Sequence, residues 1–295
     1  MIDASLVDTF VTLARSDREA DVVGANLIIA RIEYPSLDPA ATLAVLDDMG
    51  QHAADRIAAL PPMTSIREQI EALNTCLFDD AGFTGNDEQY DDPRNSFLNE
   101  VVGRRTGIPI SLSVIYMEIA RRAGIRLEGV NFPGHFLVRH PSRPDTLLAD
   151  EELLIDPFHR GSIVTETDCQ RLLAQHLGDD APYSRDLLAR ADKSQILFRM
   201  LTNLKRLYIR FRSFPHARAV VDLMVALDPS AGGELRDRGY IAVQMHDDLD
   251  GLHDLEKYLR TIAPFSQAGD DAQRKEYEQV WEHVKILKRR LASLN

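Results

Sequence analysis

Residues 109–140 read PISLSVIYMEIARRAGIRLEGVNFPGHFLVRH, and the stretch changes period halfway along. In its first part, apolar residues recur at Leu112, Ile115, Tyr116 and Ile119, with more on the neighbouring faces. That spacing predicts a helix buried on most sides, closed by Gly124. From Arg126 the runs shorten and fill with strand formers: RLEGVNF, HFLVRH and, further on, TLLAD and LLIDPF. Gly, Pro and acidic residues separate them, with RPD and EE as hairpin connections. Phe136 and Val138 alternate with Leu137 and Arg139, the two-residue period of a strand. A buried helix feeding a small antiparallel sheet places this part of the chain in the α+β class.

Upstream, the pattern is helical. ASLVDTFVTLARS puts Leu6, Phe10, Leu13 and Ala14 on one face, and EADVVGANLIIARIEYP forms an apolar helix stopped at Pro35. A third helix opens with Asp38 as N-cap and Pro39 at the first helical position, and Pro61 and Pro62 end it. A fourth begins with Ser65 and Glu68 in capping-box spacing. After a polar loop, Asn95 is the expected cap of a short helix carrying Phe97, Leu98, Val101 and Val102. Gly107 is its expected left-handed end.

Downstream, helices return from Glu166, and the polar segment LGDDAPYSRD marks a boundary between domains at 1–186 and 187–295. The last third repeats with a period of about 34 residues, that of the tetratricopeptide helix-turn-helix unit. Leu201, Leu204, Tyr208, Ala217, Val221, Met224 and Pro229 fit one unit. Leu235, Arg238, Ala242, Gly251, Leu255 and Tyr258 follow one period later, with Pro264 a residue late. Ala217 and Gly251 fall where two helices cross closely. AQRKEYEQVWEHVKILKRRLASL is the expected closing helix.

The chain has 295 residues, is 44% hydrophobic and carries a formal net charge of -12. An acidic balance argues against nucleic acid or an anionic membrane as a partner, because phosphate binding needs an excess of Lys and Arg. The first residues lack the basic n-region of a secretory signal, and no apolar run approaches the roughly 20 residues of a membrane span. The expected location is the cytoplasm. Two widely separated cysteines, Cys76 and Cys169, make neither a disulfide framework nor a zinc motif.

The chemistry concentrates between Gly107 and Gly161. Two adjacent antiparallel strands can set His135 beside Asp156, so that the carboxylate orients the imidazole. A nucleophile would come from the N-terminus of the preceding helix, where the backbone dipole favours an anion. Ser111 stands there, either as a nucleophile activated by His135 or as the cap of the helix. Ser113 is expected to pack. For His135 the alternatives are a structural bond between strands and a retained base or binding donor. Arg94, Asn95, Asn99 and Glu100 in DDPRNSFLNE can either line a cleft beside His135 or tie the loop, with Arg94 paired to Asp91 or Asp92. Cys76 precedes His135, an order that suits a thiol enzyme, but Leu73, Cys76 and Leu77 share a helical face and read as core. Cys169 is also read as structural. His135, Asp156 and His159 could ligate a metal. No H-E-x-x-H or C-x-x-C accompanies them, and no phosphate loop is present, so neither metal nor cofactor is expected.

DPRNSFLNE, GIPISLS, PGHFLVR and DPF together resemble the bacterial SirB-type family. The resemblance covers nearly the whole chain and is strongest over residues 82–161. It implies a transglutaminase-like, papain-like core followed by tetratricopeptide hairpins, and it carries the order helix start, His, Asp onto this chain. Where catalytic transglutaminase cores begin the buried helix with Cys, it places Pro109, two residues after Gly107, and the SirB-type pattern likewise lacks that Cys. Thiol transglutaminase chemistry is therefore not expected. The functions left are a non-catalytic protein that binds a peptide or protein, possessing a regulatory role, and a hydrolase or acyl-transfer enzyme with a Ser111–His135–Asp156 triad. A scaffold in which only the repeat matters is the third.

Overall fold

The computed structural model describes residues 3–19, 21–142, 151–266 and 271–293, with 262–266 described by backbone alone. The chain forms two compact units: Thr12–Met200, and Leu201–Asn295 together with Met1–Val11.

Helix α1 (Ala4–Arg15) leads into the first unit, followed by α2 (Asp21–Ala30), α3 (Pro39–Ala58) and α4 (Ile66–Asn74). α2 is apolar on every face and almost wholly buried. As its capping signal predicts, α3 starts with the Asp38 carboxylate accepting from the Ala40 amide at 3.0 Å. α4 starts with a reciprocal box in which Ser65 N donates to Glu68 Oε2 at 2.8 Å. Its end departs from a simple helix, since Thr75–Asp80 form a π-helical turn. Leu73, Cys76 and Leu77 are buried as the shared face predicts.

A two-residue parallel bridge pairs β1 (Thr84–Gly85) with β2 (Thr106–Gly107), on either side of α5 (Leu98–Arg104). Two expectations change here. The cap of α5 is Phe97, not Asn95, and the first amide of the helix, Leu98 N, donates to the side chain of Asn26 at 3.1 Å. The left-handed residue at its end is Arg105, with φ +58°, not Gly107. Gly107 is needed for space instead: a Cβ there would meet Ser111 Oγ at 2.7 Å and Val101 Cγ1 at 2.9 Å.

The buried helix is α6 (Pro109–Arg122), with proline at its first position. It lies against β3 (Glu128–Val130) and β4 (Leu137–His140). β5 (Leu153–Asp156), β6 (Ser162–Val164) and, after α7 (Glu166–Leu177), β7 (Arg190–Ala191) complete the sheet. Among the described residues it is five-stranded, in the order β6-β5-β4-β3-β7, and every pairing is antiparallel. RPD and TLLAD lie outside the described residues. β4 is central, so Phe136, Leu137 and Val138 are all buried, and the alternation read from the sequence does not mark a solvent face. Ile115, Tyr116, Ile119, Val130, Phe132 and Ile155 complete this core. Each such side chain contributes roughly 1.5–3 kcal/mol on burial. The sequence reading did not include β6 and β7, which are too short to show a period.

α8 (Lys193–Arg210) passes from the first unit into the second. The second unit continues with α9 (Phe214–Leu227), α10 (Gly232–Gln244), α11 (Asp248–Ser266) and α12 (Asp271–Ala292). α10 and α11 cross where both backbones lack a side chain. A Cβ on Gly251 would meet Val243 Cγ2 at 2.7 Å, and one on Gly239 would meet Leu255 Cγ at 2.8 Å. α12 closes the hairpin by setting Val280, Val284 and Leu287 against Leu235, Leu255, Tyr258 and Leu259. The side chain of Pro264 lies outside the described residues.

Candidate functional site

Phe132–Pro133–Gly134–His135 form a tight turn. The His135 amide donates to the Phe132 carbonyl at 3.1 Å, and Gly134 has φ +73°. Proline second and a positive-φ glycine third are the residues a type II turn demands. A Cβ on Gly134 would also lie 2.1 Å from His176 Cγ, so the turn has a steric reason for glycine as well as a conformational one. His135 leaves this turn just ahead of β4. The ladder pairs Val138 with Ile155, which continued by one residue sets Leu137 opposite Asp156. His135, two residues before Leu137, shares its face and reaches Asp156 diagonally.

The contact is made as predicted: His135 Nε2 lies 2.8 Å from Asp156 Oδ2, with both residues buried. Asp156 also caps the short turn Pro157–His159. Its Oδ1 accepts from Phe158 N at 3.0 Å and His159 N at 3.4 Å. His159 then brings Nδ1 to 2.7 Å from the same Oδ2. An ionised carboxylate only accepts, so both imidazoles donate to it. Burial alone would push the Asp156 carboxyl up; the bonds and charge of His135, then His159, outweigh this and hold it below its usual range.

Aromatic rings surround the pair. Phe158 is 6.0 Å from His135, 5.3 Å from His159 and 6.3 Å from Tyr90, centroid to centroid. Gly85 admits the Phe158 ring, since a Cβ there would sit 2.7 Å from it. Phe158 is buried, whereas Tyr90 and His159 present exposed surface. Sequence reading did not single out Tyr90 or Phe158. The signal for His159 was present, because Asp-Pro-x-His is an N-capped turn that returns its fourth residue to the aspartate.

Ser111 is elsewhere occupied. It is fully buried, its Oγ donates to the Asn95 carbonyl at 2.6 Å, and it accepts from the Ile108 amide at 3.1 Å. It sits at the third position of α6 and reaches back to the residue that starts the helix, Ile108. It is thus part of the helix cap without being the N-cap residue itself. Among the described residues it makes no hydrogen bond to His135 or Asp156, and His135 Nδ1 has no partner. Ser113 is buried, its Oγ 3.5 Å from the Phe136 carbonyl.

The polar segment before α5 ties the loop. Arg94 is exposed and paired with Asp92 at 2.7 Å. Asn95 is buried; its amide donates to the Gln89 carbonyl at 2.7 Å and the Tyr90 carbonyl at 3.3 Å, and its Oδ1 accepts from Asn86 at 3.1 Å. Asn95 therefore links the loop carrying Tyr90 to Ser111 at the start of α6. Glu100 bonds the Tyr34 hydroxyl, whose pKa burial and then Glu100 raise to about 12. Asn99 Oδ1 is buried without a partner among the described residues. None of these four side chains hydrogen-bonds to His135 or Asp156 among the described residues.

Both thiols are buried, and burial pushes Cys76 up and Cys169 up to about 11. Little thiolate exists at neutral pH, and reagents have little access to it. Iodoacetamide at pH 8 is expected to leave both unmodified in the native chain and to modify both in denaturant, as read by intact mass. Rapid native modification of either would contradict their place in the core.

Two groups of described side chains bring three ligand atoms within 4.8 Å of one another: His135, Asp156 and His159, and His52, Cys76 and Asp80. In the second, Arg56 Nη2 lies 2.7 Å from Asp80 Oδ2, a cation already in place. Among the described residues, no helix is long and apolar enough to cross a membrane.

Comparison with known proteins matches the sequence to a family. Residues 40–202 match the family described as transglutaminase-like superfamily, and residues 204–280 match a tetratricopeptide repeat. A UPF0162 protein of Xylella fastidiosa is 36% identical over 88% of this chain and 91% of its own length. Protein SirB1 of Salmonella typhimurium is 26% identical over 78% of this chain and 81% of its own. Human F-box only protein 21 is 36% identical over 54% of this chain, but over only 25% of that protein. No solved structure matches.

Proposed function

The chain belongs to the transglutaminase-like superfamily, in its SirB-type family with a tetratricopeptide repeat after the core, and from that premise we propose that it is a non-catalytic protein that binds a peptide or protein partner in the cytoplasm. One observation carries the reading: the hydroxyl nearest the start of α6, Ser111 Oγ, is buried and bonded to the backbone at Asn95 and Ile108, while His135 is bonded to Asp156. A serine nucleophile needs its base within about 3.2 Å. Pro109, which begins the helix, has no side-chain nucleophile.

What remains suits recognition. Tyr90 and His159 offer exposed aromatic surface over the buried Phe158, and aromatic rings with a polar tip are favoured in binding patches. The repeat supplies helical hairpins of the kind that hold helices or extended segments. Binding without turnover is compatible with a regulatory role.

Peptides selected from a displayed random library against the intact chain test this reading. They are expected to lose at least about tenfold in affinity, by calorimetry, with Tyr90→Ala and with His159→Ala, the effect of removing an interface anchor. Peptides indifferent to both substitutions would place the binding surface elsewhere.

A further inference from the structure

The sequence gives no expectation of a metal, because no close-spaced motif accompanies the histidines. The folded arrangement supplies by topology what the motif lacks. We propose that His135 Nε2, Asp156 Oδ2 and His159 Nδ1 form a binding site for one divalent transition-metal ion, with Zn2+ the best match.

Ligand atoms about 2.0–2.2 Å from an ion in tetrahedral or octahedral array lie roughly 3–3.5 Å from one another. Here the two nitrogens stand 2.8 and 2.7 Å from the shared oxygen, and all three atoms lie within 4.8 Å. Admitting an ion therefore requires each nitrogen to draw back from the shared oxygen by roughly 0.5 Å. The proton on His135 Nε2 moves to Nδ1, which has no partner among the described residues, and that on His159 Nδ1 moves to Nε2 of its largely exposed ring. The ion then takes the place of the two shared protons.

The donor set narrows the ion. Two imidazoles and one carboxylate suit Zn2+ and its neighbours in the first transition row, whereas Ca2+ and Mg2+ prefer oxygen alone. Three protein ligands leave a coordination position open. The outer contacts are also those a metal site uses. Phe158 N and His159 N hold Asp156 Oδ1, which turns Oδ2 toward the rings. The Pro133–Gly134 turn and Pro157 restrain the chain on both sides. No Lys or Arg among the described residues hydrogen-bonds or ion-pairs with Asp156. That distinguishes the site from the His52, Cys76 and Asp80 group, where Arg56 occupies the carboxylate. The His159 side chain is 58% exposed, so the ion has a route from solvent.

The site shares His159 with the proposed peptide-binding patch but does not depend on peptide binding. Metal affinity is measured without peptide and peptide affinity in EDTA, so either reading can fail alone. The test uses the full chain without a polyhistidine tag, stripped with EDTA and dialysed, then titrated with ZnCl2 against a chromogenic chelator. One ion per chain is expected. His159→Ala, at an exposed position that leaves the core intact, should weaken binding at least about tenfold, and His159→Gln should do the same. His52→Ala should change nothing. Co2+ loading should give visible absorption in the native chain and lose it in His159→Ala. Binding no tighter than that of His159→Ala, or binding abolished by His52→Ala instead, would overturn the assignment.

Discussion

Replacing Asp156 with alanine is expected to lower the free energy of unfolding by about 3–5 kcal/mol, the usual cost of breaking a buried pair by removing one partner. The carboxylate is buried and accepts from two imidazoles and two backbone amides. Its loss strands the buried Nε2–H of His135 and the amides of Phe158 and His159, each costing about 1–3 kcal/mol when left unsatisfied. The alanine is also too short to cap the turn that carries Phe158. His159→Ala is the contrast. That ring is largely solvated, and its ion pair should be worth no more than about 1 kcal/mol. Urea denaturation of both variants reads the difference as a shift in midpoint at constant slope. Equal, small effects would mean that Asp156 does not hold the turn.

The second large effect is expected in the repeat. Arg238 grips Asp254 with two bonds of 2.7 Å and reaches Asp222 at 3.3 Å, so that α10 is joined to both α11 and α9. The Asp254 side chain is only 3% exposed. Arg238→Ala should therefore cost about 3–5 kcal/mol, because a buried carboxylate loses its counter-charge. Replacing both partners, Arg238→Met with Asp254→Leu, should recover most of that loss, since an apolar pair of similar volume removes the stranded charge. The double-mutant cycle by denaturant melts decides it. If the double variant is as unstable as the single, the arginine acts through packing of its stem and not through the pair.

These residues also mark what could be read from the sequence. Helical faces, the caps at Asp38 and Ser65 and the close crossing at Gly251 are local or periodic, and the chain states them directly, whereas the meeting of His135 with Asp156 depends on two strands pairing. The amide that starts α5 is satisfied by Asn26, from a helix far upstream, and no local pattern announces that. Asn95 looked like a cap because of its type, but its side chain bonds three groups in the loop behind it. Gly107 looked like a helix terminator, yet it is needed for space beside Ser111, and Arg105 adopts the left-handed conformation. Tyr90 joins the site only because Phe158 folds over Gly85 to meet it, which is a tertiary event. His159 was legible through its Asp-Pro turn, though that turn alone could not say that His135 would bond the same oxygen.

Covalent labelling of Ser111 tests the absence of a working triad most directly. The intact chain is treated with a serine-directed fluorophosphonate and analysed by peptide mass spectrometry. No adduct on Ser111 is expected, because its hydroxyl is buried and bonded to Asn95 and Ile108 rather than to His135. A stoichiometric adduct on Ser111, lost in both Ser111→Ala and His135→Ala, would contradict it and establish a working triad.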